Sequence, residues 1–273
     1  MSAARITRIA PTPSGFLHLG NAVNASFVSF LASRWGADTI LRIDDMDSTR
    51  SRPEYVDDIF ATLEWLEIPW SSGPRDRAEF EQGFTMAART EYYRSQLGLL
   101  SGSGCEVFAC ACSRAELATT GGLRCAGDCR AAGLDLVVER TALRLRIPEG
   151  TVVEIADSRI DLAEAHGDVV LWRRDDLPSY HLVTVIEDRD QGVSDIVRGL
   201  DLLESSALHT WLAPHLGAEN VARANFVHHT LLTDDAGEKL SKSQLSLGPL
   251  ARTELQREQV LHRAAQLASA LGY

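Results

Sequence analysis

Two stretches of this sequence carry side chains suited to handling a polyphosphate. Residues 11–21 read PTPSGFLHLGN, and residues 237–243 read GEKLSKS. In the first, His18 and Asn21 can donate to phosphate oxygens, and Gly20 lets a backbone come close. A loop of this kind between a strand and a helix offers open N–H groups and the positive end of the helix dipole to an anion. The plainer reading is a tight turn with Asn21 as a cap. In the second, Lys239 and Lys242 stand three residues apart, with serines beside Lys242. Lysine is a compact, movable point charge where arginine is a planar fork, and a leaving pyrophosphate is where such a charge helps most. KxxK pairs are common in solvated turns, but here the placement carries weight. Of 27 basic residues these two are the only lysines.

A third group is sulfur. Cys110, Cys112, Cys125 and Cys129 follow the spacing C-x-C-x12-C-x3-C, with Gly121 and Gly122 in the intervening turn. Four thiolates can close a tetrahedral zinc site; the alternatives are four structural thiols or a disulfide pair. All five cysteines fall between 105 and 129 and their number is odd. A secreted disulfide framework spreads an even number along the chain. Cys105 is left over as a free thiol. A fourth group is acidic: Asp44, Asp45 and Asp47. Asp45 and Asp47 are expected in a local salt-bridge or capping network with Arg42 and Arg50. His228 and His229, adjacent on a strand-like run, point to opposite faces and read as structural.

The elements that must hold these groups follow from periodicity. Residues 6–10 form a short strand candidate, and Val23, Phe27, Phe30 and Leu31 give the next segment helical spacing with Gly36 as its C-cap. A second strand spans 39–43. Pro53 opens an amphipathic helix with the stripe Val56, Ile59, Phe60, Leu63 and Leu66, and helical sequence continues to about 100. This β–α–β–α start predicts an α/β fold with a doubly wound parallel, Rossmann-type sheet. LLSGSG at 99–104 marks a boundary. Short strands at 142–147, 152–155 and 169–172 predict an inserted α+β subdomain that carries the cysteines. Buried strands are expected again at 180–186 and 196–197, then a helix over 202–216, a strand over 226–232 and a terminal helix over 254–271. The expected division is 1–104 and 176–235 for the two halves of a nucleotide-binding catalytic domain, 105–175 for the insert, and 236–273 for the KLSKS loop with a short helical tail.

Together HLGN at 18–21 and KLSKS at 239–243 resemble the HIGH and KMSKS signatures of the class I aminoacyl-tRNA synthetases. RIAPTPSGFLHLG at 8–20, RIDDMDSTR at 42–50 and QGVSDIVRGLDLL at 191–203 narrow the resemblance to the glutamyl/glutaminyl branch. Within it the chain is similar to the glutamyl-queuosine tRNA(Asp) synthetase type, which lacks the anticodon-binding domain; the 30 residues after Ser243 are too few for one.

The resemblance implies adenylation of L-glutamate by ATP with Mg²⁺, then transfer to queuosine in tRNA(Asp). It implies that His18, Gly20, Asn21 and Lys242 bind and activate ATP, with Lys239 beside them. Arg8, Thr12, Asp44, Tyr180 and Arg198 would bind the amino acid: Arg8 and Arg198 through carboxylate, with Arg198 suited to a bidentate pair, and Asp44 through the ammonium. The branch has Glu at the position of Asp44 and Tyr at that of Cys125, so the ammonium must sit closer or be met through water, and the zinc site becomes fully sulfur-ligated and structural.

Composition limits the alternatives. Apolar residues at 45% and charged residues at 24% suit a soluble globular chain. A net charge of −11 excludes a general nucleic-acid binder and leaves tRNA contact to a local arginine patch; Arg114, Arg124, Arg130, Arg144 and Arg146 in the insert are candidates. The longest uncharged run, 9–33, contains Pro11, Pro13, His18, Asn21 and Asn24, and so is no membrane helix. A cytoplasmic monomer without membrane contact is expected. Two competing functions are a ligase that passes its adenylated amino acid to a small molecule, and a non-catalytic paralogue that senses an amino acid or ATP. Lys242→Ala tests the adenylation step, which the leading reading shares with the first of these and not with the second. We expect amino-acid-dependent ATP–pyrophosphate exchange to fall by about 100-fold or more, with thermal melting and zinc content unchanged.

Overall fold

The computed structural model describes residues 4–46, 49–137, 139–231 and 249–273. Along the chain these form β1 (Ile6–Ile9), α1 (Leu19–Trp35), β2 (Asp38–Leu41), α2 (Pro53–Trp65), α3 (Arg77–Gly83), α4 (Thr90–Gly102), β3 (Val107–Cys110), α5 (Arg114–Ala118) and β4 (Ala142–Arg146). There follow β5 (Val152–Ile155), β6 (Ser158–Asp161), α6 (Leu162–Ala165), β7 (Asp168–Trp172), α7 (Tyr180–Asp190), β8 (Asp195–Gly199), α8 (Leu203–Leu212), α9 (Glu219–Ala222), β9 (Asn225–His229) and α10 (Glu254–Ala270). Among the described residues no helix is long and apolar enough to cross a membrane.

The chain divides into two compact units. One comprises Met1–Ala88, Val193–Leu202 and Asn225–Tyr273; the other comprises Arg89–Gly192 and Leu203–Ala224.

In the first unit β1 pairs with β2 in parallel, Ile6 opposite Asp38 and Ile9 opposite Leu41. β8 pairs with β9 in parallel, with Arg198 opposite His228. The two pairs meet at β1 and β8, where Ser194 N–H donates to Ile6 O at 2.9 Å and Ile6 N–H to Ser194 Oγ at 3.0 Å. α1 is buried on most of its surface: Ala22, Val23, Phe27, Val28 and Leu31 are fully enclosed. It ends, as its sequence predicts, at Gly36 in the left-handed conformation, φ 61°. α2 contributes Val56, Ile59 and Leu63 to the same core, and α10 lies along α1 with Val260, Ala264 and Leu267.

In the second unit β3, β4 and β7 form a three-stranded antiparallel sheet, and β5–β6 form a hairpin. One expectation is overturned here. Residues 180–186 are not a strand but the first turns of α7. Ser179 starts the helix, its Oγ accepting from Leu182 N–H. Leu182 through Asp188 are all buried. A helix buried all round shows no amphipathic period, and its β-branched run Val183–Thr184–Val185–Ile186 mimics a core strand.

At Gly73 of the first unit the neighbouring strand's backbone comes close. Gly73 has φ 110°, and a Cβ there would lie 2.1 Å from Leu41 O, beside the bond from Leu41 N–H to Ser72 O at 2.9 Å. Gly73→Ala is expected to destabilise the chain by about 2 kcal/mol or more, read as a lower urea midpoint at unchanged slope.

Candidate functional site

The first unit gathers His18, Gly20, Asn21, Arg8, Thr12, Asp44 and Arg198. α1 begins at a reciprocal cap. His18 Nδ1 accepts from Gly20 N–H at 3.0 Å, and His18 N–H donates to Asn21 Oδ1 at 3.1 Å. With Nδ1 as the acceptor, a neutral His18 carries its proton on Nε2 and presents it as a donor. A Cβ at Gly20 would sit 2.9 Å from His18 Cε1, so a side chain there would push the imidazole out of its capping position. Asn21, where the signature has a second histidine, supplies the capping oxygen of this box.

Beside the cap lie the ends of β1 and β2. Asp44 N–H donates to Pro11 O at 2.9 Å, which ties the acidic segment to the loop that precedes α1. Thr12 is exposed in that loop, and its carbonyl accepts from Ser14 N–H at 2.9 Å. The Asp44 carboxylate takes Arg42 Nε at 2.7 Å. The ion pair with Arg42 therefore belongs to Asp44, the residue expected to meet an ammonium. An ammonium reaching Asp44 would share it with a guanidinium. Asp45 accepts from Met86 N–H at 2.8 Å instead. Asp47 lies outside the described residues.

Two arginines are buried on the strands. Arg8 on β1 is 6% exposed and Arg198 on β8 is 5% exposed. Burying a cation is costly unless the fold or a ligand compensates. The Arg198 guanidinium lies 5.2 Å from the Phe226 ring centre, a favourable cation–aromatic contact. Opposite Arg198, burial and the guanidinium push His228 down to about 4, so this histidine stays neutral at physiological pH. His229 Nε2 lies 2.9 Å from the Asn24 side-chain amide and Nδ1 2.9 Å from Thr230 O. Both histidines are held in place by the core, as the sequence reading expects. A cavity of about 530 Å³ opens by Thr230, Leu231, His262, Arg263 and Gln266; among the described residues, none of the predicted site residues lines it. Lys239 and Lys242 lie outside the described residues.

Tyr180 belongs to the second unit. It is the first residue of α7, 42% exposed, with its ring 5.3 Å from His181 and 5.6 Å from His209. His181 Nδ1 and His209 Nε2 are 3.1 Å apart, one donating to the other. The same unit holds the four cysteines. Cys110, Cys112, Cys125 and Cys129 bring their sulfurs within 4.8 Å of one another, with Cys112 Sγ 3.6 Å from Cys125 Sγ and 3.7 Å from Cys129 Sγ. A tetrahedron with Zn–S of about 2.3 Å needs sulfurs about 3.8 Å apart. The cluster fits that ion. Its frame is fixed by charge-assisted bonds: Asp168 Oδ2 accepts from Cys125 N–H at 2.7 Å, and Arg174 Nη2 donates to Cys112 O. Burial pushes the Cys110 thiol up to about 12, a cost that a central dication reverses by holding thiolates.

Comparison with known proteins then decides the family. The model of the class I tRNA synthetase (E and Q) catalytic domain matches residues 5–102 and 137–264. The chain belongs to the class I glutamyl- and glutaminyl-tRNA synthetase family, in its glutamyl-Q tRNA(Asp) synthetase group. The unmatched residues 103–136 hold all five cysteines. A glutamyl-Q tRNA(Asp) synthetase of Methylococcus capsulatus is 40% identical over 241 residues, covering 86% of this chain and 74% of that protein. One from Nitratidesulfovibrio vulgaris is 36% identical, covering 88% and 78%. In fold the chain is similar to the glutamate-tRNA synthetase of Elizabethkingia anophelis, with TM-score 0.69 and 23% identity over 88% of this chain and 53% of that one. The fold is thus the class I synthetase catalytic fold, of mixed α/β content, and the chain is a ligase.

Asp58, whose Oδ2 accepts from Leu17 N–H at 2.7 Å, and Arg252, which donates to Asp58 Oδ1, border the cap and were not singled out by the sequence reading. Asp45 yields a pH test. Burial raises its carboxyl from 3.8 to about 6, against the Met86 N–H that favours the charged form. A raised carboxyl pKa stabilises the folded state at low pH, and that contribution is lost as pH climbs through about 6. Asp45→Asn keeps the acceptor for Met86. Between pH 4 and pH 7.5 its urea-derived stability should improve relative to the parent by up to about 3 kcal/mol. A constant difference across that range would refute the buried, raised carboxyl.

Proposed function

We propose that this chain activates L-glutamate as glutamyl-adenylate and transfers it to queuosine in the anticodon of tRNA(Asp). The observation that carries this is the juxtaposition, within one unit, of a capped helix N-terminus and two buried strand arginines. The first suits a phosphate, the second an amino acid with a carboxylate to spare. In the first step a glutamate carboxylate oxygen attacks the α-phosphorus of ATP, the bond to the bridging oxygen breaks, and pyrophosphate leaves. The Nε2 proton of His18 and the Asn21 amide face charge that develops on the phosphoryl oxygens. Lys239 and Lys242 would meet the departing pyrophosphate, and Mg²⁺ bound with ATP would neutralise phosphate charge. Arg8 and Arg198 would bind carboxylate, with Thr12 and Asp44 in the same unit, and Tyr180 of the other unit is expected to bind the amino acid as well. In the second step a hydroxyl of the queuosine cyclopentene ring attacks the acyl carbon and AMP leaves.

The finer architecture belongs to the same reading. The β1–β2 and β8–β9 pairs, linked through Ser194 and Ile6, are consistent with one doubly wound sheet. Residues 105–175 form the acceptor-facing insert, and the protein works as a cytoplasmic monomer. Zinc would be held by Cys110, Cys112, Cys125 and Cys129 and would cross-link the insert without taking part in the reaction. We expect about one zinc per chain, and chelation should lower the melting temperature. Less than about half a zinc would count against the site.

The function is tested with labelled glutamate, ATP and tRNA that either carries or lacks queuosine. Label is expected only on the queuosine-bearing tRNA. Equal labelling of both, or of neither, contradicts the acceptor. Exchange without any tRNA labelling favours a small-molecule acceptor, and no exchange with any of the twenty amino acids favours a binding protein.

A further inference from the structure

We infer that Asp58 is a positioning residue whose one carboxylate ties the HLGN segment to the chain that follows the KLSKS segment. Asp58 sits on α2 among its core-facing residues, and only 2% of its side chain is exposed. Its two oxygens are divided between two partners. Oδ2 accepts from Leu17 N–H at 2.7 Å, and Oδ1 accepts from Arg252 Nη2.

Leu17 is the residue before His18, and its backbone amide is the last one ahead of the cap that orients the imidazole. Arg252 is the tenth residue after Lys242 in sequence. It reaches Asp58 from a left-handed backbone, φ 51°, a conformation strained for a residue with a side chain. It is held there from both sides. Its N–H donates to Gln256 Oε1 at 3.1 Å, while Thr253 caps α10, its Oγ1 accepting from Gln256 N–H. Its guanidinium also lies 3.4 Å from both Asp58 O and Thr62 Oγ1. A carboxylate this deeply buried is retained because two donors meet it, and removing either leaves charge without compensation. Burial pushes its pKa up, opposed by Leu17 N–H and Arg252. The position of the His18 cap therefore depends on a residue at the opposite end of the unit's sequence.

This inference rests on the adenylation reading, so its test has an arm that does not use activity. The variants are Arg252→Gln, Asp58→Asn, their double and Arg252→Lys. In ATP–pyrophosphate exchange, Arg252→Gln should lower kcat about tenfold with KM for ATP nearly unchanged, the mark of an interaction needed in the transition state. Asp58→Asn keeps an oxygen for Leu17 N–H and should act similarly. The double should be no worse than the worse single, and Arg252→Lys should recover most of the rate. In hydrogen–deuterium exchange, Arg252→Gln should speed exchange in a peptide spanning 16–22 while α7 is unaffected. Unchanged kcat in both singles, or losses that multiply in the double, would overturn the inference. So would an unchanged exchange rate in that peptide. A parent protein without activity but with the peptide effect would leave the coupling standing and remove the reaction.

Discussion

A helix that starts at the ends of parallel strands has open amide groups facing outward, and in this chain His18 and Asn21 decide how they are used. The imidazole closes on Gly20 N–H, the Asn21 oxygen closes on His18 N–H, and the imidazole proton is left on Nε2. This arrangement requires that residue 20 have no side chain. It also requires that α1 be fixed, which the packing of Val23, Phe27, Val28 and Leu31 in the core shared with the strands, α2 and α10 ensures. The rest of the first unit is organised around that fixed point. The loop from Pro11 is tied to Asp44, and Leu17 is tied to Asp58.

Charge is placed with equal economy. The chain is strongly acidic as a whole, yet Arg8 and Arg198 are drawn into the interior of the first unit. Such cations persist only where something compensates them; the aromatic face of Phe226 lies over Arg198, and His228 opposite it stays neutral. A dicarboxylic amino acid is a natural complement to two buried guanidinium groups. The partnership of Arg42 with Asp44 has the opposite consequence. It draws the short Asp44 carboxylate toward a guanidinium, so an ammonium brought to Asp44 would meet it as one member of a pair.

What was legible in the sequence was local. The left-handed Gly36 and the first-turn Pro53 are each decided within a few residues and were visible in residue type and spacing, as was a capping role for Asn21; that His18 is itself the N-cap, with Asn21 three residues on, was not. The cysteine cluster was legible for the same reason, since C-x-C and C-x3-C place ligand pairs on short turns. α7 was not legible, because burial on every side erased the periodicity that separates a helix from a strand. The Asp58–Arg252 pair was not legible either. It joins residues 194 positions apart, and its only local trace is an aspartate set among the apolar residues Val56, Ile59 and Leu63. The pairing of Arg42 with Asp44 rather than Asp45 was decided by Met86, whose amide captures Asp45 from 41 residues away.

The central claim is that the head of α1 is the phosphoryl site and the buried arginines are the carboxylate site of one adenylate. A crystal structure with a non-hydrolysable glutamyl-adenylate analogue tests it most directly. The account predicts the phosphoryl mimic within hydrogen-bond distance of His18 Nε2 and the Asn21 amide, with the glutamyl portion reaching Arg8 or Arg198. An analogue bound elsewhere, such as the cavity beside His262 and Arg263, or one whose glutamyl carboxylate meets neither arginine, would contradict it.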